Sequence, residues 1–358
     1  MKALVLEENG VLRYRDVADP VIGRDECLVR IKAAGICSSD IHRAFESGAY
    51  HYPLIMGHEL SGVVETVGPD VRQFKSGDRV AVFPLLPCFE CEFCRREFYA
   101  QCMKYDYYGS RRDGGFADFL AVPEWNLFPV PDEVDLAAAA LLEPFSVGVH
   151  AARKITVQAG QTVAVLGAGI IGLMVSRFLA ATVQPDQIFV LDRNVLKLRI
   201  AADFGCQTVL ILPGLDWKKE FIKQTGGVDH VIETCGAAEV YRATVDLAKH
   251  HGNVVWAGNI DGDLHWGRQT VSSVIRKELK IYGCWNAWYT HKNDDDWHAA
   301  LEFIRQYSGC QDWITQKYPL AQGVEVLQKL RNYKLPQQRL PGETIIKTIF
   351  VEEKETGC

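Results

Sequence analysis

Residues 163–180, VAVLGAGIIGLMVSRFLA, decide how this 358-residue chain folds. Four apolar residues of β character, Val163–Leu166, run straight into Gly167-Ala168-Gly169-Ile170-Ile171-Gly172, and helical text follows. In a G-x-G-x-x-G turn the first glycine allows the tight bend and the second lets a pyrophosphate approach the backbone. The third lets helix and strand pack closely. The phosphates then meet the unsatisfied N–H groups and positive end of a helix. The apolar text continues to Val183 and has the length of a membrane span. It contains Arg177 and three glycines at motif spacing, so it reads as a buried strand and helix. Asp192, about twenty residues on, closes the run IFVLD. A carboxylate there holds the ribose hydroxyls and repels a 2′-phosphate, so NAD is expected. Arg193 beside it is the one feature that favours NADP.

Outward from this turn, β runs alternate with helical stretches at Gln187–Leu191, Thr208–Leu212, Val228–Glu233, Asn253–Ala257 and Leu279–Gly283. Alternation of this kind predicts an α/β domain of Rossmann type, a doubly wound parallel sheet. Before about residue 150 the text is different. Short β runs such as CLVRIKA (27–33), GVVETV (62–67) and RVAVF (79–83) are punctuated by Gly, Pro and Asp. They predict a β-rich, barrel-like domain with long loops. After about residue 290 the tail reads as amphipathic helix ending in a β run at 343–351, which needs a sheet to join and is expected to return to the first domain. The net charge of −6 argues against a nucleic-acid partner. MKALVLEENG carries no apolar leader, and a cytoplasmic protein with no membrane partner is expected.

Eleven cysteines in a chain of this size point to metal, not to cross-links. Cys88-x2-Cys91-x2-Cys94-x7-Cys102 supplies four thiolates in one loop, the pattern of a closed structural zinc site. An iron–sulfur cluster is the alternative, with nothing else suggesting electron transfer. A second set is dispersed: Cys37 in GICSSDIH, His58 in MGHELSG and Glu143 in LLEPFSVGVH. One thiolate, one imidazole and one carboxylate leave a zinc ion a fourth position for substrate, the catalytic pattern. Cys27, Cys206, Cys235, Cys284, Cys310 and Cys358 are scattered and read mostly as buried thiols.

GICSSDIH, GHELSG, the four-cysteine loop, DGGFADF, LEPFSVGVHA and GAGIIG occur in the order found in the zinc-containing medium-chain dehydrogenases, and the whole chain resembles that family. The resemblance implies a GroES-like catalytic domain with a structural zinc lobe over residues 1–152. A dinucleotide-binding Rossmann domain over 153–288 and a C-terminal return over 289–358 complete it. It implies two zinc ions per subunit and an NAD-linked alcohol dehydrogenase that forms a homodimer or homotetramer. The strand LKIYGCWN would pair the subunits. By resemblance Glu59 stands behind the zinc ligands or occasionally ligates the ion and displaces water, and Asp40 orients the zinc-bound histidine. Ser39 takes the substrate proton and His42 passes it to solvent, although His42 also reads as a plain surface histidine.

Glu143-Pro144 resembles the polyol and threonine dehydrogenase branch. The run VFPLLPCFECEFCRREFYAQCMKYDYYGSRRDGGFADF is similar to hexitol-phosphate dehydrogenases, which oxidise galactitol 1-phosphate to tagatose 6-phosphate. The implied substrate is a small polyol or sugar phosphate. Arg111 and Arg112 suit a phosphate because a guanidinium bonds it bidentately. An ordinary solvated pair is the other reading. Tyr50, with His51 and Tyr52, precedes the GHE motif and could shape a polyol cleft. Trp285 and Asn286, at the end of the last cofactor-domain strand, could close it. A dehydrogenase of a free polyol, amino-polyol or cyclitol is the rival. A zinc-free reductase and a non-catalytic dinucleotide-binding protein are more distant ones.

Overall fold

Val163–Leu166 is buried along its whole length, as a central strand of a parallel sheet must be. A computed structural model describes residues 1–212, 214–334 and 344–352. In it the chain divides into two compact units, Pro144–Ala287 and a second built from Met1–Glu143 and the chain from Trp288 onward.

Six parallel strands form the sheet of the first of these units. In spatial order they are Gln207–Leu210, Ile188–Asp192, Val163–Leu166, Val228–Glu233, Ala248–Trp256 and Lys280–Gly283. The order reverses between Val163–Leu166 and Val228–Glu233. That point, at the carboxyl ends of the strands, is where such sheets bind ligands. Ala164, Leu166, Phe221, Val231, Leu247 and Val254 pack one face of the sheet. His230 is buried in the same sheet, with Nε2 against Gln161 Oε1 (2.9 Å) and Nδ1 against the Asn253 amide (2.9 Å). That arrangement suits the neutral ring, and burial lowers its pKa below the usual histidine value despite Asp229. The unfolded chain takes up this proton near pH 6.5 and the folded chain only at lower pH. Stability should therefore fall as pH drops through 6.5 towards the lowered value. His230→Gln, followed by denaturant midpoints between pH 7 and 5, should flatten that slope by up to one proton.

The other unit is β-rich. One path of paired strands runs Leu127–Pro129, Arg79–Val82, Glu59–Val67, Glu26–Gly35, Lys347–Val351 and Ile314–Pro319, with Phe119–Pro123 also on Glu26–Gly35. Lys2–Glu8, Val11–Asp16 and Leu54–Ile55 make a smaller sheet. Leu4, Leu6, Val29, Val64, Val80, Phe116 and Phe350 belong to the shared core. The pairing registers set up the chemistry. Gly35 lies opposite Glu59, and Ile349 lies opposite Gly35 on the other side. Cys37, Glu59 and Lys347 therefore gather at one end of three adjacent strands.

The tail differs in part from its sequence reading. Asp296–Gln306 and Gly323–Lys334 are helices, but Ile314–Pro319 between them is a strand, parallel to Lys347–Val351. Its half-exposed residues carry little periodic signal, and the pairing supplies what the local text lacks. The last strand begins at Lys347. Glu343 and Cys358 lie outside the described residues. Among the described residues no helix is long and apolar enough to cross a membrane.

Candidate active site

Cys37 follows strand Glu26–Gly35 and is the N-cap of helix Ser38–Phe45. Asp40, three residues on, accepts the Cys37 N–H on Oδ2 (2.9 Å), satisfying one of the groups that a helix start leaves open. Its Oδ1 faces His58 Nδ1 and Arg43 Nη1, each at 3.5 Å. Asp40 is fully buried. Burial raises its pKa, but the charges of His58 and Arg43 outweigh that and hold the carboxyl below the usual range.

Donor atoms of Cys37, His58 and Glu59 lie within 4.8 Å of one another. Glu143, in the first turn of helix Leu142–Ala152, stands outside that trio but beside it. Its Oε1 accepts the Tyr107 hydroxyl at 3.3 Å, and the Tyr107 ring meets the His58 ring edge-on at 5.8 Å. Lys347 makes an ion pair with Glu59 Oε2 and donates to Ile36 O (3.0 Å), deep in the core. Burial, with Glu59 alongside, pushes the Glu143 carboxyl up to about 7 against the pull of His58 and Lys347. Two buried carboxylates, a buried imidazole and the half-buried Cys37 thiol stand together with the Lys347 ammonium as the one lysine charge beside them, a donor set that a bound cation would stabilise. Sulfur, nitrogen and oxygen donors together suit zinc. The residues fit the metal.

Cys88, Cys91, Cys94 and Cys102 also bring their sulfurs within 4.8 Å of one another. Cys88 and Cys94 are 4.0 Å apart, Cys91 and Cys94 3.5 Å. Tetrahedral zinc with bonds of about 2.3 Å spaces its sulfurs roughly 3.8 Å apart, whereas a disulfide needs about 2.05 Å. Backbone N–H groups of Met103 and Cys94 lower the Cys91 thiol to about 6. Cys102 Sγ accepts from Cys88 N (3.2 Å) and Lys104 N (3.4 Å). Burial raises the Cys94 and Cys102 thiols instead, so the loop favours thiolate at Cys88 and Cys91 and the neutral thiol at the two buried positions.

In the unit of the parallel sheet, Gly167 has φ +101°, which a side chain would oppose. A Cβ on Gly172 would stand 1.9 Å from Gly167 O, so helix Ile170–Ala180 closes onto the strand only with glycine there. Gly169 is the N-cap, and a Cβ on it would meet nothing within 4 Å. That open space at a helix start is where a pyrophosphate fits. Ile171 is half-buried. Asp192 ties the turn down: Oδ2 accepts Ala168 N and Oδ1 accepts Asn194 N, both at 2.7 Å. Arg193 is exposed.

Ser39 is half-buried on helix Ser38–Phe45, and one turn on His42 Nδ1 is paired with Glu46. The Arg111 guanidinium lies over the rings of Tyr105 (4.2 Å) and Tyr50 (5.0 Å), while its carbonyl meets His51 Nε2 at 3.2 Å. Arg112 differs: it pairs with Asp106 (3.7 Å) and covers Tyr108. Trp285 and Asn286 belong to the other unit and lie just past strand Lys280–Gly283. Tyr105, Tyr107 and Lys347 went unnoticed in the sequence. Lys347 left a trace, since a lysine inside TIIKTIF is a charge in apolar strand text and must find a partner if buried. The two tyrosines left none.

The family model of the alcohol dehydrogenase GroES-like domain matches residues 23–132, and that of zinc-binding dehydrogenases matches residues 170–306. The chain belongs to the zinc-type alcohol dehydrogenase family. The dehydrogenase is 33% identical to galactitol 1-phosphate 5-dehydrogenase of Escherichia coli (strain K12) over 309 residues, 86% of this chain and 89% of that one. It is 30% identical to sorbitol dehydrogenase of Bacillus subtilis (strain 168) over 345 residues, 93% and 94% of the two chains. A crystal structure of galactitol-1-phosphate dehydrogenase from Escherichia coli superposes with a TM-score of 0.87 at 30% identity, covering 98% of this chain and 100% of that one. A Sinorhizobium meliloti 1021 structure bound to NADP gives 0.82 at 26% identity, covering 98% of each. The dehydrogenase is thus an oxidoreductase of GroES-like plus Rossmann architecture whose relatives act on small alcohols.

Proposed function

We propose that this dehydrogenase moves a hydride from a secondary alcohol of a polyol or polyol phosphate to NAD, with galactitol 1-phosphate to tagatose 6-phosphate as the leading reaction. The observation that carries the reading is the cluster of Cys37, His58 and Glu59 donors, with buried Glu143 beside it. Cys37, His58 and Glu143 would hold catalytic zinc, and the four-cysteine loop a structural one. Bound zinc lowers the pKa of a coordinated hydroxyl and polarises a carbonyl in the reverse direction. Asp40 Oδ1 faces His58 Nδ1 at 3.5 Å and would orient the ring when it ligates. Ser39 takes the substrate proton, and His42 hands it to solvent from the helix surface. The parallel-sheet unit Pro144–Ala287 holds the dinucleotide through Gly167, Gly169, Ile171 and Gly172. Its edge strand Lys280–Gly283 would pair with a second copy in a homodimer or homotetramer.

Asp192 supports NAD. Each of its oxygens accepts one backbone N–H and retains capacity for a ribose hydroxyl. Its charge also repels a 2′-phosphate. Asp192→Asn should narrow the preference for NAD over NADP, read as the ratio of kcat/KM values, by at least about tenfold, or about 1.4 kcal/mol.

Arg111 supports an anionic substrate, since it is held flat by two rings and has no carboxylate partner among the described residues. The test is NADH formation by the zinc-loaded protein with galactitol 1-phosphate, galactitol and sorbitol. Arg111→Ala should raise KM for the phosphate ester about 10- to 100-fold, the size of a lost charge-assisted hydrogen bond. Arg112→Ala should change it little. Equal turnover of free polyols would move the assignment to the sorbitol-type reading that the Bacillus relative favours.

A further inference from the structure

The glycine turn is also held by residues outside its own motif. Thr234 follows strand Val228–Glu233, the neighbour of Val163–Leu166 in the sheet. Its N–H donates to Leu166 O (3.0 Å), and its hydroxyl proton is shared between Leu166 O (3.0 Å) and Gly167 O (3.2 Å). A Cβ on Gly167 would stand 3.0 Å from that hydroxyl oxygen, and one on Gly172 2.9 Å from it. The Thr234 side chain is therefore wedged where the first and third glycines of the motif meet.

Glu233 fixes the turn that carries Thr234. It is fully buried, and its Oε1 accepts Cys235 N (2.7 Å), Gly236 N (2.8 Å) and the Cys235 thiol (2.9 Å). Oε2 has no hydrogen-bond partner among the described residues, and the Gly258 N–H donates to the Glu233 carbonyl instead (3.1 Å). Burying a carboxyl with one oxygen unanswered is costly. What it secures here is a turn of one shape. Gly236 closes that turn at φ +82°, and a Cβ on it would stand 2.2 Å from Asn259 O. We propose that Glu233 and Thr234 are positioning residues that set the glycine turn in the shape that receives the pyrophosphate. This rests on the dinucleotide reading above.

The test measures binding to the full chain, by NADH fluorescence and its displacement. The ligands are NAD, NADH, ADP-ribose, which keeps the pyrophosphate and lacks nicotinamide, and adenosine, which has no phosphate. Thr234→Val keeps the side-chain shape and removes its bonds to the two carbonyls. It should weaken NAD, NADH and ADP-ribose alike, by about five- to tenfold, and adenosine by less than about twofold. Thr234→Ser restores the hydroxyl and should bind all four within about twofold of wild type. Glu233→Leu takes the acceptor from two backbone N–H groups and should weaken the three phosphate ligands at least about tenfold. Glu233→Gln, which keeps one accepting oxygen, should weaken them less. Unchanged binding of ADP-ribose by Thr234→Val would overturn the proposal, and so would an equal loss for adenosine, which marks damage to the whole unit. Should Glu233→Leu not fold, Thr234→Val and its serine counterpart decide. Wild type that binds neither NADH nor NADPH defeats the dinucleotide reading itself, and this one with it.

Discussion

Cys37→Ser should leave the protein folded, with one zinc per subunit in place of two, and lower kcat/KM by about 10³-fold or more. Serine keeps the shape and the backbone N–H that Asp40 accepts, so the start of helix Ser38–Phe45 should survive. What it removes is the thiolate. A hydroxyl is a far weaker zinc donor at neutral pH, and the two carboxylates would then crowd His58 without enough positive charge to balance them. Elemental analysis separates this outcome from general damage: the zinc that remains should be the one in the cysteine loop. Loss of both ions, or turnover within tenfold of wild type, would count against Cys37 as a ligand.

Cys94→Ser should have the largest effect on stability and the smaller one on chemistry. Structural zinc contributes on the order of 10 kcal/mol of apparent binding energy to the segment it organises. This loop has little of its own to replace it, since its regular structure is limited to the short turns Cys94–Arg96 and Tyr99–Gln101. Its outward anchor is aromatic. Phe89 and Tyr99 pack on Trp125 at 5.0 and 5.1 Å between ring centroids, and Trp125 packs in turn on Tyr289 and His291 at 5.4 Å each. His291 Nε2 bonds Trp125 O at 2.7 Å, and Lys292 pairs with Glu97. Zinc loss should therefore free one wall of the Trp125 pocket. The expected result is a changed Trp125 emission, identified against Trp125→Phe, together with a lower unfolding midpoint and the catalytic-site metal still bound. A midpoint equal to wild type would show that the loop holds its shape by packing alone.

The two units differ in how far the text reveals them. The glycine turn was legible because its chemistry is local: a strand, a bend and a helix start within ten residues leave a pattern that needs no distant partner. The cysteine loop was legible for the same reason. Cys37, His58 and Glu143 were recognised through family motifs rather than through spacing. Nothing in a chain shows that the donors of Cys37, His58 and Glu59 will come together until strands pair.

The sequence by itself determined the parallel sheet, the dinucleotide turn with Asp192, and the four-sulfur loop, all written in short-range periodicity and spacing. Only the tertiary structure decided the rest. Strand register set Glu59 opposite Gly35 and brought Lys347, more than three hundred residues from Cys37, under the same site. It also made Arg111 and Arg112 unlike: Arg111 is held between two tyrosines, while Arg112 is given to Asp106. The physical reason is that burial and partner choice belong to contacts between distant segments, and a charge becomes consequential only once its surroundings are dry.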